Sequence, residues 1–102
     1  MYVEASLRKR LLPLKDIAVA NFTKENWLEL GTITNCLDIV QGHTRLLRSL
    51  YFGDEDYAVC AIEVLIAILE RETENFDFIE EYISQRFPVS GTTVSSQNTD
   101  GP

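Results

Sequence analysis

The stretch Ala58 to Leu69 constrains this chain more than any other. Its twelve residues are apolar except for Glu63, so apolar side chains fall on nearly every side of the helix they would form. That is too short and too charged a run to cross a bilayer. A helix of this kind is stable in water only when other helices surround it. The rest of the chain must therefore supply those helices, and the expected fold is all-α, a compact six-helix antiparallel bundle.

Five other segments carry helical spacing. The first covers roughly residues 3–20, with Val3, Leu7, Leu11, Leu14 and Ala18 three or four apart. Pro13 lies in its middle and is expected to kink or split it, since proline lacks the N–H a helix needs. Thr23 offers an N-cap for a second helix through Trp27, Leu28 and Leu30, ended by Gly31. A third is expected from Thr32 or Thr34, carrying Ile33, Leu37 and Val40 to Gly42. Thr44 then caps a fourth, with Leu46, Leu47, Leu50 and Tyr51 before Gly53.

Asp54 is the expected cap of the fifth helix, which runs to about Glu72. Glu55 and Asp56 would sit in its first turn, where carboxylates suit the helix dipole. Asn75 caps the sixth, with Phe78, Ile79, Tyr82 and Ile83 as its inward stripe and Glu80, Glu81 and Gln85 facing water, up to Pro88. The links are two to four residues long, so neighbouring helices must pack closely. Residues 1–87 thus read as one helical domain. Residues 88–102, rich in Ser, Thr, Gly and Asn, read as a disordered tail or a linker, because they hold too little apolar surface to offset ordering entropy.

Charge is distributed unevenly. Residues 1–22 hold four basic side chains against two acidic ones, whereas residues 54–102 hold two arginines against eleven carboxylates. A surface this acidic makes nucleic acid an unexpected partner, since phosphate binding needs a continuous basic stripe. Arg8, Lys9 and Arg10 interrupt any apolar leader, and Cys36 and Cys60 sit among apolar residues as buried free thiols do. The expected setting is cytoplasmic, with no membrane partner.

Catalytic chemistry is hard to write on these residues. His43 is the single histidine and falls at a helix junction, where a capping or surface role is the ordinary one. No zinc site of usual spacing, phosphate loop or nucleophile elbow occurs. A calcium loop starting at Asp54 would need glycine at its sixth position and glutamate at its twelfth, where Val59 and Leu65 stand. No cofactor and no enzymatic activity are expected. Glu63 is read as solvent-facing, with a pair to Arg45 or Arg48 as the alternative. Trp27, Tyr51 and Phe52 are core residues, or interface anchors if exposed.

What remains is surface charge. Two basic clusters stand out: Arg8, Lys9 and Arg10 on the first helix, and Arg45 with Arg48 on one face of the fourth. The acidic counterparts are Asp54, Glu55 and Asp56, then Glu70 and Glu72, then Glu80 and Glu81. Opposed patches of this kind suit docking onto a second copy or a similar domain.

Six short helices over residues 3–87, a proline within the first, and the segment Arg45-Leu-Leu-Arg-Ser-Leu-Tyr-Phe-Gly-Asp-Glu-Asp-Tyr57 together resemble the death-fold superfamily, including bacterial death-like and effector-associated domains. The resemblance implies a non-catalytic adaptor that binds like domains through charged patches, in a prokaryotic immune or cell-death pathway. Its partner would be a second copy or a similar domain on an effector, with a homo-oligomer as one outcome. Two other classes fit parts of the pattern. One is a small acidic inhibitor, an anti-defence protein that blocks a basic nucleic-acid-binding surface. The other is a helix-turn-helix regulator using Arg45 and Arg48, which the overall acidity disfavours.

Overall fold

A computed structural model of the chain describes residues 4–88. They form six helices with no strand among them: α1 (Ala5–Asn21), α2 (Lys24–Ile33), α3 (Leu37–Gly42), α4 (Leu46–Phe52), α5 (Tyr57–Arg71) and α6 (Asn75–Arg86). Val3, and the tail expected from Val89 onward, lie outside the described residues.

Helix α5 is the axis of the packing. Cys60, Ala61, Val64, Leu65, Ile68 and Leu69 are all buried, and α1, α3, α4 and α6 each pack against it. This is the arrangement its all-round apolarity requires. Each fully buried aliphatic side chain of this size contributes roughly 1.5–3 kcal/mol by leaving water. Glu63 takes the one outward direction and is solvent-facing. Helix α1 buries Leu11, Leu14 and Ala18 and half-buries Leu7, as the spacing predicts. It runs through Pro13 without splitting, contrary to one of the two expected outcomes. Pro13 lies on the exposed face, where water can serve the Lys9 carbonyl that the missing N–H leaves unbonded.

The turn from α1 into α2 is locally encoded. Thr23 Oγ1 accepts the Asn26 N–H, and Asn26 Oδ1 accepts the Thr23 N–H at 2.8 Å, which closes a capping box. Phe22, just before the cap, meets Trp27 edge to face at 4.9 Å and fixes the angle of entry. Trp27 is fully buried, and its indole N–H donates to the Tyr57 hydroxyl at 2.8 Å.

The end of α2 departs from expectation. Gly31 does not stop the helix, which continues to Ile33, and Ile33 therefore belongs to α2 and not to α3. Asn35 provides the stop instead, at φ 58°, a left-handed conformation asparagine tolerates. The Cys36 N–H then reaches the Gly31 carbonyl at 2.7 Å and the Asn35 N–H reaches that of Thr32 at 3.2 Å, the paired bonds of a Schellman closure. Gly31 serves packing. A Cβ there would stand 2.9 Å from the Leu37 Cα, so its absence lets α3 start directly against α2.

The same closure ends α4, with Gly53 at φ 68° as expected and Asp54 N–H bonded to the Ser49 carbonyl at 3.0 Å. Asp54 does not cap α5. Its carbonyl accepts the Tyr57 N–H, residues 54–56 form a turn, and the helix begins at Tyr57 with no acid in its first turn. Asn75 likewise does not cap α6. Its buried side chain donates to the Ile68 carbonyl at 3.4 Å and lies 3.6 Å from Cys36 Sγ. The helix starts at Asn75 itself, one position earlier than a cap there implies, and its buried stripe is Phe76, Ile79, Tyr82 and Ile83, whereas Phe78 is exposed. Cys36 and Cys60 are buried and unbonded to each other.

Candidate docking surface

The charged residues singled out above do not all face water unpaired. Arg45, at the start of α4, forms an ion pair with Asp56, the residue before α5. One basic and one acidic candidate thus satisfy each other within the chain. Arg10 lays its guanidinium over the Phe76 ring, 4.4 Å from the centroid, which fastens α1 to α6. Arg8 and Lys9 are exposed on the same helix. Glu70 and Glu72 are exposed at the end of α5, and Glu80 and Glu81 lie exposed on α6.

Arg48, Asp54 and Glu55 are set apart by what lies between them. All three are exposed, and among the described residues no side-chain hydrogen bond or ion pair occupies them. Between them sit Tyr51 and Phe52, which are 82% and 64% exposed. Their rings pack edge to face on each other, with centroids 5.0 Å apart. Arg48, Tyr51 and Phe52 are three and four residues apart on α4 and so share one face. Gly53 then turns the chain so that Asp54 and Glu55 follow at once. Two large aromatics of a short amphipathic helix have been left in water beside unpaired charges of both signs. The sequence left these two rings open between core and anchor, and they are not part of the core.

A second cluster brings together residues the sequence kept apart. A ring nitrogen of His43, Cys60 Sγ and a Glu63 carboxylate oxygen lie within 4.8 Å of one another, a set able to hold a metal ion. The hydrogen bonds give these residues other work. His43 Nδ1 accepts the Leu46 N–H at 3.1 Å and the Arg45 N–H at 3.3 Å, so it must be the unprotonated ring nitrogen. Nε2 therefore carries the proton and donates it to Glu63 at 2.9 Å, which leaves no lone pair there for a metal. His43 is the cap of α4, the role expected of Thr44, and Glu63 pairs with His43 and with neither arginine of α4.

Elsewhere, a groove of about 400 Å³ runs between α2 and α6, lined by Leu28, Glu29, Thr32, Ile33, Tyr82 and Arg86. Its polar groups are already matched. Tyr82 donates its hydroxyl to Glu29 at 2.5 Å and accepts from Asn26 at 3.0 Å, while Arg86 lies 3.5 Å from Glu29. Burial, with the hydrogen bond to Glu29 adding to it, raises the Tyr82 pKa above the usual tyrosine value. Burial likewise raises that of Tyr57. At the far end of α5, Arg71 grips Asp38 with two bonds of 2.7 Å and reaches the Asn35 carbonyl at 3.2 Å, tying α5 to the α2–α3 corner. The Arg71 hydrogen bonds hold the Asp38 carboxyl down to about 2. Neither arrangement leaves an unpartnered polar group that points to a ligand. No helix among the described residues is long and apolar enough to cross a membrane.

No curated protein and no solved structure matches the chain. The family described as AbiJ N-terminal domain 5 matches residues 4–90, a span that takes in all six helices. This six-helix chain accordingly belongs to the AbiJ N-terminal domain 5 family, which associates it with abortive-infection antiviral defence.

Proposed function

We propose that the chain is a non-catalytic docking domain of an abortive-infection system, acting as death-like adaptor domains act, by bringing an attached or recruited effector to high local concentration. The observation that carries this reading is the exposed Tyr51–Phe52 pair flanked by unpaired Arg48, Asp54 and Glu55. Aromatic side chains at the centre of a patch with charges at its rim are the anatomy of a protein interface. The six-helix layout supports the death-like comparison, and the defence association of the family supports the pathway. That association also favours the adaptor over the acidic inhibitor. The partner is a protein, reached through these residues. Lys9 on one side and Glu70, Glu72, Glu80 and Glu81 on the other are available for further contacts in a larger assembly.

The test is protection from phage in cells carrying the system that encodes the chain. Tyr51→Ser with Phe52→Ser leaves the core untouched, so circular dichroism should show an unchanged helical signal and melting temperature. Protection should fall at least tenfold in plating efficiency. Full protection by the folded double variant would sink the docking reading.

A further inference from the structure

We infer that the partner at this surface is a second copy of the chain, held across a two-fold axis that passes between Tyr51 and Phe52. This rests on the docking reading above and names its partner. A two-fold contact requires a patch that is complementary to itself. Around a centre between residues 51 and 52, Tyr51 of one copy meets Phe52 of the other, and Arg48 of each copy meets Glu55 of the other. The apolar pair therefore falls on its equivalent, and each unpaired arginine falls on an unpaired carboxylate, twice over. Asp54 adds a second acceptor beside Glu55. No rearrangement inside the domain is needed, since none of these five side chains makes a hydrogen bond or ion pair within the fold, and the one ring contact is that between Tyr51 and Phe52 themselves.

The charge that could have confused this register has been removed internally. Arg45, one turn earlier on α4, is tied to Asp56. Only Arg48 remains on that helix to meet an acid across the axis, which selects a single alignment of the two helices.

Area sets the strength. An aromatic side chain buries roughly 150–250 Å² when fully covered. With part of each ring already covered within the fold, Tyr51 and Phe52 thus supply roughly a third of the ~800 Å² per partner found in stable complexes. The dimer is therefore weak and concentration-dependent, as suits an adaptor that must assemble only when its copies are gathered.

Analytical ultracentrifugation of the full chain over a wide concentration range tests this. Wild type should show a reversible monomer–dimer equilibrium. Tyr51→Ser or Phe52→Ser should weaken it at least tenfold, with an unchanged melting temperature. Arg48→Glu and Glu55→Arg should each be monomeric, because each places like charges face to face at both contacts. Mixed in equal amounts, these two variants should form a heterodimer, since one then carries two acids where the other carries two arginines. A mixture that stays monomeric while wild type dimerises would overturn the two-fold register. So would a dimer indifferent to Tyr51 and Phe52. A wild type that is monomeric throughout would overturn the second-copy partner. The docking reading would still stand if the serine double variant lost phage protection, and would fall with it if protection were intact.

Discussion

Two glycine-to-alanine substitutions have opposite expected effects, and the difference between them measures how closely α2 and α3 approach. Both Gly31 and Gly42 lie in helices without positive φ, so alanine suits the backbone at either site. Replacing a helical glycine with alanine gains up to about 1 kcal/mol from reduced unfolded-state entropy and better propensity. At Gly42 a Cβ meets nothing within 4 Å. Gly42 also ends its helix, so Gly42→Ala should stabilise the fold by only about 0.5 kcal/mol. At Gly31 the added Cβ stands 2.9 Å from the Leu37 Cα and 3.1 Å from Val40 Cγ2. The first neighbour is backbone and cannot rotate away, and overpacking of this kind costs about 1–3 kcal/mol. The net for Gly31→Ala is then a loss of up to about 2 kcal/mol. For a domain of this size each kcal/mol moves the melting temperature by roughly 4–8 °C. Trp27, the one tryptophan and fully buried, reports unfolding by fluorescence in urea or on heating. If Gly31→Ala proves as stable as Gly42→Ala, the close contact between α2 and α3 is not a constraint and the account of Gly31 fails.

Four further outcomes follow from the hydrogen bonds. Tyr57→Phe strands the Trp27 indole N–H in the core and should cost about 1–3 kcal/mol in urea unfolding, while a shift below about 0.5 kcal/mol would mean the bond is dispensable. His43→Ala removes the acceptor for two backbone N–H groups at the start of α4 and should cost about 1 kcal/mol. Added zinc should leave the wild-type melting temperature unchanged, and a rise would overturn the tautomer assigned to His43. The Asp38 carboxyl is lowered in the fold to about 2 from an unfolded value of about 3.9, so its pairing with Arg71 stabilises the protein above about pH 4 and is lost as pH falls through about 2. Asp38→Asn should therefore be less stable than wild type at pH 6 and indistinguishable from it near pH 2, and an equal gap at both would refute the assignment.

The number and order of helices were legible because each rests on local spacing: a threonine cap at Thr23, a left-handed glycine at Gly53, and an apolar run too long for anything but a central helix. What spacing did not reveal was which of two nearby residues performs a given task. Gly31 looked like a stop, yet Asn35 is the stop, because the tertiary need for close approach at Gly31 outweighs its weak propensity. Phe76 and Phe78 are equally apolar and two residues apart, and only the packing of α6 against α1, where Arg10 covers the Phe76 ring, shows which is buried. The proposed docking surface was half visible. Arg48, Asp54 and Glu55 stood out by charge, but Arg45 and Asp56 stood out equally, and no pattern in one dimension shows that these two cancel. The aromatic pair at its centre could be assigned only once three-dimensional packing had been completed elsewhere.

The placement of α5 has a consequence for how the chain comes into being. Helix α1 packs chiefly on α5 and α6, so its apolar stripe lacks its main cover until α5 has been made. About fifty residues separate the end of α1 from the end of α5, which at ribosomal speeds of about 5–20 residues per second is a delay of roughly 2–10 s. Throughout that interval Leu11, Leu14 and Ala18 are exposed on the nascent chain, within reach of chaperones and of neighbouring nascent copies. The domain therefore appears all at once and late, when its fifth helix leaves the ribosome and the first folds back upon it.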